Sequence, residues 1–365
     1  MVEAKPPVKP DLRALTGLRG IAAWLVVFYH IRTGMSGYLP DQLMAFIAKG
    51  YLAVDFFFLL SGFVIWLSYS DRFEKNGTGY SSTFYWRRIA RIWPLHIFIL
   101  VTTMVFVAIL AVTGRTTQGY PLPELPLHIL LLQNWGLTSE LSWNHPAWSI
   151  STEMAAYLLF PLLAVHARWE RFSSNALIII VIGLALCLHL YFRGFGLSTL
   201  GEDIARTGLV RCLVQFIMGT IICVLWQRSR GDWRQAVIFL TAGIVLLFGF
   251  AFAGWPETLV ITIGFSSLLL SMAIFAEAPH NPLTGRVIHY FGEISYATYL
   301  VHFMLFILFK IIFVSDPSNL SLLLIGLYIA MTFALSALLY HWVEKPGQKV
   351  MLAVITHPAA RLATK

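Results

Sequence analysis

Apolar runs of about 20 residues, separated by short polar connections, recur along nearly the whole chain. A helix rises about 1.5 Å per residue, so each run is long enough to cross a hydrocarbon layer of about 30 Å. The pattern predicts ten spanning helices, at about 15–33, 51–69, 90–113, 146–167, 174–193, 207–227, 234–253, 257–277, 290–313 and 319–343. The stretch LHILLLQNW at 127–135 is too short to span and is expected to lie along the surface or dip into the protein. No internal repeat or heptad pattern accompanies the runs. The expected organisation is a tail over 1–14, one transmembrane domain over 15–344 and a second tail over 345–365. The opening MVEAKPPVKPDLRAL is polar and Pro-rich, and no A-x-A-like cleavage site follows a short apolar core, so the first helix is expected to stay in the membrane.

Composition removes the soluble alternatives. The chain is 58% hydrophobic and 12% charged, against about a quarter charged in soluble domains. The net charge of +8 sits in the short connections, where it sets orientation instead of binding nucleic acid. With the N-terminus in the cytoplasm, 19 Lys and Arg fall on the cytoplasmic side and 5 on the outer side. The expected class is therefore an all-α polytopic bundle of about ten spans, N-in and C-in. Cys187, Cys212 and Cys223 lie in apolar runs without metal-ligand spacing, so they read as small buried apolar residues and no metal is expected.

The first span, LTGLRGIAAWLVVFYH, carries Arg19 near its start and His30 near its end. Eleven residues apart on a helix means about 16.5 Å of rise and nearly the same direction, so both side chains share one face. Alone, they read equally well as a snorkelling anchor and an interfacial histidine. Further polar groups shift that balance: Asp55 near the outer end of the second span, Glu153 in the first turns of PAWSISTEMAAYLLFP, and Tyr299 and His302 in YFGEISYATYLVHF. Ionisable residues inside a membrane are costly unless paired or set in a watered cavity, so they mark functional sites. His30, Asp55, Glu153 and His302 are expected to converge on one outer cavity, where a carboxylate would orient His30 as a base. On the cytoplasmic side, Arg88 and Arg91 share a helix face ahead of Pro94 and read as a phosphate clamp. A clamp at one face and a base near the other suit a coenzyme A thioester, with its polyphosphate head and long arm.

The same residues resemble the acyltransferase-3 family of bacterial membrane O-acyltransferases. Arg19 and His30 fit its Arg-x10-His signature. GYLAVDFFFLLSGFVI matches a G-x-x-x-V-D-x-F-F-x-x-S-G block through Gly50, Val54, Asp55, Phe57, Phe58, Ser61 and Gly62. Arg88, Arg91 and Pro94 match a basic block, Trp148, Ser149, Ser151 and Glu153 a W-S-x-S-x-E segment, and Ser295, Tyr296, Tyr299 and His302 a late segment. Glu344 and Pro346 in the closing VEKP have counterparts as well. His96 departs from a position that is often Tyr, which bears on the cofactor entrance.

The resemblance implies an O-acyltransferase of the bacterial inner membrane. It would carry an acyl group, most simply acetyl, from cytoplasmic acetyl-CoA to a hydroxyl of a carbohydrate or glycolipid acceptor on the outer side. Arg19, Arg88 and Arg91 would bind the cofactor. His30 would be the base, oriented by Asp55 or Glu153, with Tyr299 or His302 donating to the oxyanion; an acyl-histidine on His30 stays open. An extracytoplasmic esterase-like domain, present in some members, is not expected. The competing reading is a proton-coupled transporter, since buried His, Asp and Glu also suit proton relays; the absence of inverted repeats weighs against it.

Overall fold

The structure, a computed structural model, describes residues 12–35, 37–276, 278, 281–314 and 320–356, with side chains to 354. Most of the expected 1–14 tail, and residues 357–365 of the expected C-terminal tail, lie outside them. Fourteen α-helices follow in order: α1 (Arg13–Ile31), α2 (Asp41–Ile47), α3 (Ala53–Asn76), α4 (Ser81–Val112), α5 (Leu125–Leu130), α6 (Ala147–His166) and α7 (Ser174–Gly194). The second half continues with α8 (Ile204–Ser229), α9 (Trp233–Ala253), α10 (Glu257–Phe275), α11 (Arg286–Glu293), α12 (Ser295–Phe313), α13 (Leu322–Leu339) and α14 (Lys345–Thr356). Nine continuous stretches among the described residues are long and apolar enough to cross a membrane. One of them, Asp41–Val112, contains both α3 and α4, which accounts for the ten runs in the sequence. The chain is an all-α, multi-pass membrane bundle.

Helix starts follow from local chemistry. Ser173, Asp232 and Ser321 each accept a backbone N–H two or three residues ahead, capping α7, α9 and α13. Two boundaries differ from the sequence expectation. The run at 290–313 is broken at Ile294 into α11 and α12, with the Ser295 hydroxyl donating to the Gly292 carbonyl at 2.7 Å. The run at 319–343 ends in a π-turn, Tyr340–Glu344, and continues as α14, where the sequence suggested only a tail. The 127–135 stretch dips inward: Leu131, Gln133 and Asn134 are buried. His96 donates through Nε2 to the His128 carbonyl at 2.8 Å, so it anchors that connection. Of the cysteines, Cys212 and Cys223 are buried as expected, whereas Cys187 is exposed on the flank of α7.

The centre of the bundle is the pair α3 and α8. A side chain on Gly62 would put its Cβ 1.9 Å from the Phe216 carbonyl oxygen, and one on Gly219 would sit 2.0 Å from that of Leu59. The two backbones therefore touch, as small residues allow in membrane helices. Next to this contact the Asp55 carboxylate accepts from Arg211 Nε at 2.7 Å, Arg211 Nη2 at 2.6 Å and Gln215 Nε2 at 2.6 Å. Asp55 is 0% and Arg211 1% exposed. Asp55 thus joins α3 to α8 and does not stand beside His30 as expected.

Removing one member of such a pair leaves a buried, uncompensated charge, which costs about 3–5 kcal/mol. Asp55→Ala is expected to lower the melting temperature in detergent sharply and to reduce the monodisperse fraction. Asp55→Asn combined with Arg211→Gln removes both charges and is expected to recover most of that loss. A single variant as stable as the parent would take the pair out of this structural role.

Candidate active site

A cavity of about 160 Å³ opens among α1, α3, α4, α6 and α12. Arg19, Arg88, Arg91, Glu153, Tyr157 and Tyr299 are in its wall. The three arginines come together as expected, but their bonding differs. Arg91 is paired with the Glu344 carboxylate and lies over the Tyr296 ring, 5.4 Å from its centroid. The π-turn carries Glu344 to this point, and Trp86 holds α14 alongside by donating to the Met351 carbonyl at 2.7 Å. Arg88 donates through Nη2 to the Tyr69 hydroxyl at 2.8 Å, and its Nε is buried without a partner among the described residues. Arg19 makes no hydrogen bond among the described residues, although Glu153 and Glu344 lie within electrostatic reach. It is the guanidinium most open to a ligand.

Glu153 belongs to this arginine-lined cavity and not to a histidine site. Its Oε1 accepts from the Ser61 hydroxyl and from the Tyr157 hydroxyl, the latter at 2.5 Å. Four residues earlier on the same helix face, Ser149 donates to the Pro146 carbonyl at 3.1 Å, so its oxygen accepts the Tyr299 O–H at 2.8 Å. Tyr299 therefore closes the cavity.

Beyond Tyr299 lie the histidines. The Tyr299 and His302 rings are 6.0 Å apart, and those of His302 and His30 4.9 Å. His30 Nδ1 lies 2.9 Å from the Val26 carbonyl oxygen, and His302 Nδ1 lies 3.1 Å from that of Thr298. A carbonyl oxygen only accepts, so in each ring the proton sits on Nδ1. His302 Nε2, 3.2 Å from His30 Nδ1, then receives that same N–H. His30 Nε2 has no hydrogen-bond partner among the described residues, so its lone pair is free of them. A neighbouring imidazole and a helix carbonyl set the tautomer that a carboxylate was expected to set. Tyr328 steadies the pair by donating to the His302 carbonyl at 2.9 Å.

Sequence reasoning passed over Tyr157, Ser61 as a partner of Glu153, and His145. The His145 ring stacks on Phe303 at 4.7 Å and 21°, and the Phe303 and His30 rings meet in a T-shape at 5.4 Å. Its position in the irregular segment before α6 gave no periodic signal. Among the described residues no cluster of three or more His, Cys, Asp or Glu is placed to hold a metal ion.

Known proteins with this sequence pattern point the same way. The chain is 28% identical over 326 residues to acyltransferase MdmB of Streptomyces mycarofaciens, an alignment covering 82% of this chain and 80% of that protein. It is 24% identical over 362 residues to a putative peptidoglycan O-acetyltransferase, YrhL, of Bacillus subtilis (strain 168), with 91% and 54% covered. A putative O-acetyltransferase of Staphylococcus aureus (strain COL) is 22% identical over 367 residues, with 92% and 57% covered. The chain thus spans most of the first relative but little more than half the length of the other two. No solved structure matches it. The model of the acyltransferase-3 domain matches residues 12–341, every helix from α1 to α13 included, and the chain belongs to that family of acyltransferases.

Proposed function

We propose that this acyltransferase takes an acetyl group from acetyl-CoA at the cytoplasmic face of a bacterial inner membrane and delivers it to a carbohydrate hydroxyl on the outer side. One observation carries the reading: an arginine-lined cavity reaches Tyr299, whose ring meets His302, and His302 in turn meets His30, whose Nε2 has no hydrogen-bond partner among the described residues. The cavity suits an anionic head with a thin arm, and its wall holds a guanidinium with no hydrogen-bond partner among the described residues, Arg19. The bias of 19 basic residues to 5 supports placing that end in the cytoplasm, with both termini there.

The chemistry balances with the groups present. An acceptor hydroxyl gives its proton to His30 Nε2 as its oxygen attacks the thioester carbonyl. The oxyanion that forms takes a hydrogen bond from the Tyr299 O–H, which leaves Ser149 to supply it. The C–S bond then breaks, and the departing sulfur takes back the proton from His30. His302 holds the His30 ring in the tautomer this requires.

His30→Ala is expected to lower transfer by about 10²–10⁴-fold while acetyl-CoA binding, measured by calorimetry, is kept. Wild-type turnover in that variant would end the assignment.

Arg19→Ala is expected to raise the KM for acetyl-CoA by about 10–100-fold, the worth of a hydrogen bond to a charged group, with Arg19→Lys between it and the parent because an ammonium lacks the bidentate fork. An unchanged KM in both would reduce Arg19 to a topological anchor.

Sidedness is tested in sealed vesicles of known orientation. Label from acetyl-CoA on the cytoplasmic side is expected on acceptor confined to the outer side. Equal transfer with both substrates held at the cytoplasmic face would rule out delivery through the membrane.

A further inference from the structure

The segment joining α5 to α6 lies over the end of the bundle that carries His30, and it is pinned there. Ser142 donates to Glu124 at 2.6 Å and accepts from His128 Nε2 at 2.9 Å. Within it, Gln133 and Asn144 are 5% and 4% exposed. Gln133 Nε2 donates to the Ala147 carbonyl at 3.2 Å, and Asn144 Nδ2 donates to the Leu300 carbonyl at 3.0 Å. Because those carbonyls can only accept, both amide orientations are settled. Gln133 Oε1 and Asn144 Oδ1 are then buried acceptors without a donor among the described residues. Each such group is costly to leave unsatisfied.

Both residues line one small pocket, with His145 and Trp148 also in its wall. Its enclosed part, about 10 Å³, has room for one hydroxyl-sized group. The pocket is in register with the candidate active site. Leu300, which holds Asn144, lies on α12 between Tyr299 and His302, and His145 is stacked on the Phe303 ring that packs at right angles to His30. The His145 ring nitrogens have no partner among the described residues. Burial holds this imidazole below its ordinary pKa, so it is neutral at pH 7 and offers one N–H and one lone pair.

We infer that this pocket is an acceptor subsite, in which Gln133, Asn144 and His145 take the hydroxyl neighbouring the one that is acylated. Two waiting carbonyl oxygens need two donated protons, and one alcohol supplies only one. The hydroxyl that is acylated gives its own proton to His30, so the second donor is a further hydroxyl at the mouth, and a pyranose ring, which carries several, supplies both. The same two carbonyl dipoles repel a phosphate or carboxylate acceptor. The inference rests on the acyl-transfer reading and narrows it to neutral acceptors that carry several hydroxyls.

The test is acetyl-CoA-dependent thiol release with methyl glycosides of glucose, galactose, mannose and rhamnose, each set beside its monodeoxy counterparts. For the best acceptor, loss of the neighbouring hydroxyl is expected to raise KM by about 5–150-fold. Gln133→Met and His145→Phe, the latter keeping the stack on Phe303, are expected to raise the KM of the glycoside similarly. They should leave that of the deoxy compound and the KM for acetyl-CoA close to the parent's. That coupling marks a direct contact and is read in whichever variant folds. Equal KM for glycoside and deoxy compound, or a variant that weakens both alike, would mean the pocket holds an ordered water only, and the subsite falls while acyl transfer stands. No thiol release by the parent with any acceptor would instead bring down the transfer reading and the subsite with it.

Discussion

A charge that enters hydrocarbon has to bring its partner with it, and the arrangement of this bundle follows from that requirement. Asp55 and Arg211 satisfy it for the central helices, where α3 and α8 touch backbone to backbone. Arg91 and Glu344 satisfy it at the far end of the cavity, and Lys49 with Glu257 at 2.8 Å satisfies it near the start of α10. Against that background of paired charges, Arg19 stands apart. A guanidinium left without a hydrogen bond in a cavity is tolerable only if water or an anionic ligand spends time there.

The all-α fold was legible because lipid makes every span declare itself as a long apolar run. The failures were at breaks shorter than such a window. Gly292 lies so close to the Thr16 carbonyl that its absent Cβ would sit 1.9 Å from the oxygen. That close approach ties α11 to α1 and parts it from α12, and no hydrophobicity pattern reports it. The π-turn at Tyr340–Glu344 escaped for the same reason: one extra residue in a turn leaves composition untouched.

The candidate site was legible as a set of residue types and not as a set of pairs. Helical periodicity placed Arg19 and His30 on one face, and the structure keeps each beside polar neighbours. Depth along a helix could not say which carboxylate met which cation. Asp55 found Arg211, a residue passed over because it stood alone in its run, and Glu153 joined Ser61 and Tyr157. Histidine paired with histidine across 272 positions of sequence, a partnership visible only once α1 and α12 lie side by side.

The polarity of that histidine pair has an electrical consequence. A chain of imidazoles conducts protons when each ring can accept on one nitrogen and release from the other. Here the chain runs from His30 to His302 and then to the Thr298 carbonyl, and an amide oxygen is far too weak a base to hold a proton at neutral pH. A proton gained at His30 has no onward route along this pair and must leave from the same nitrogen, Nε2. In the proposed transfer the proton would therefore cross only on the released thiol, one for each acyl group, and not through the histidines as a separate current.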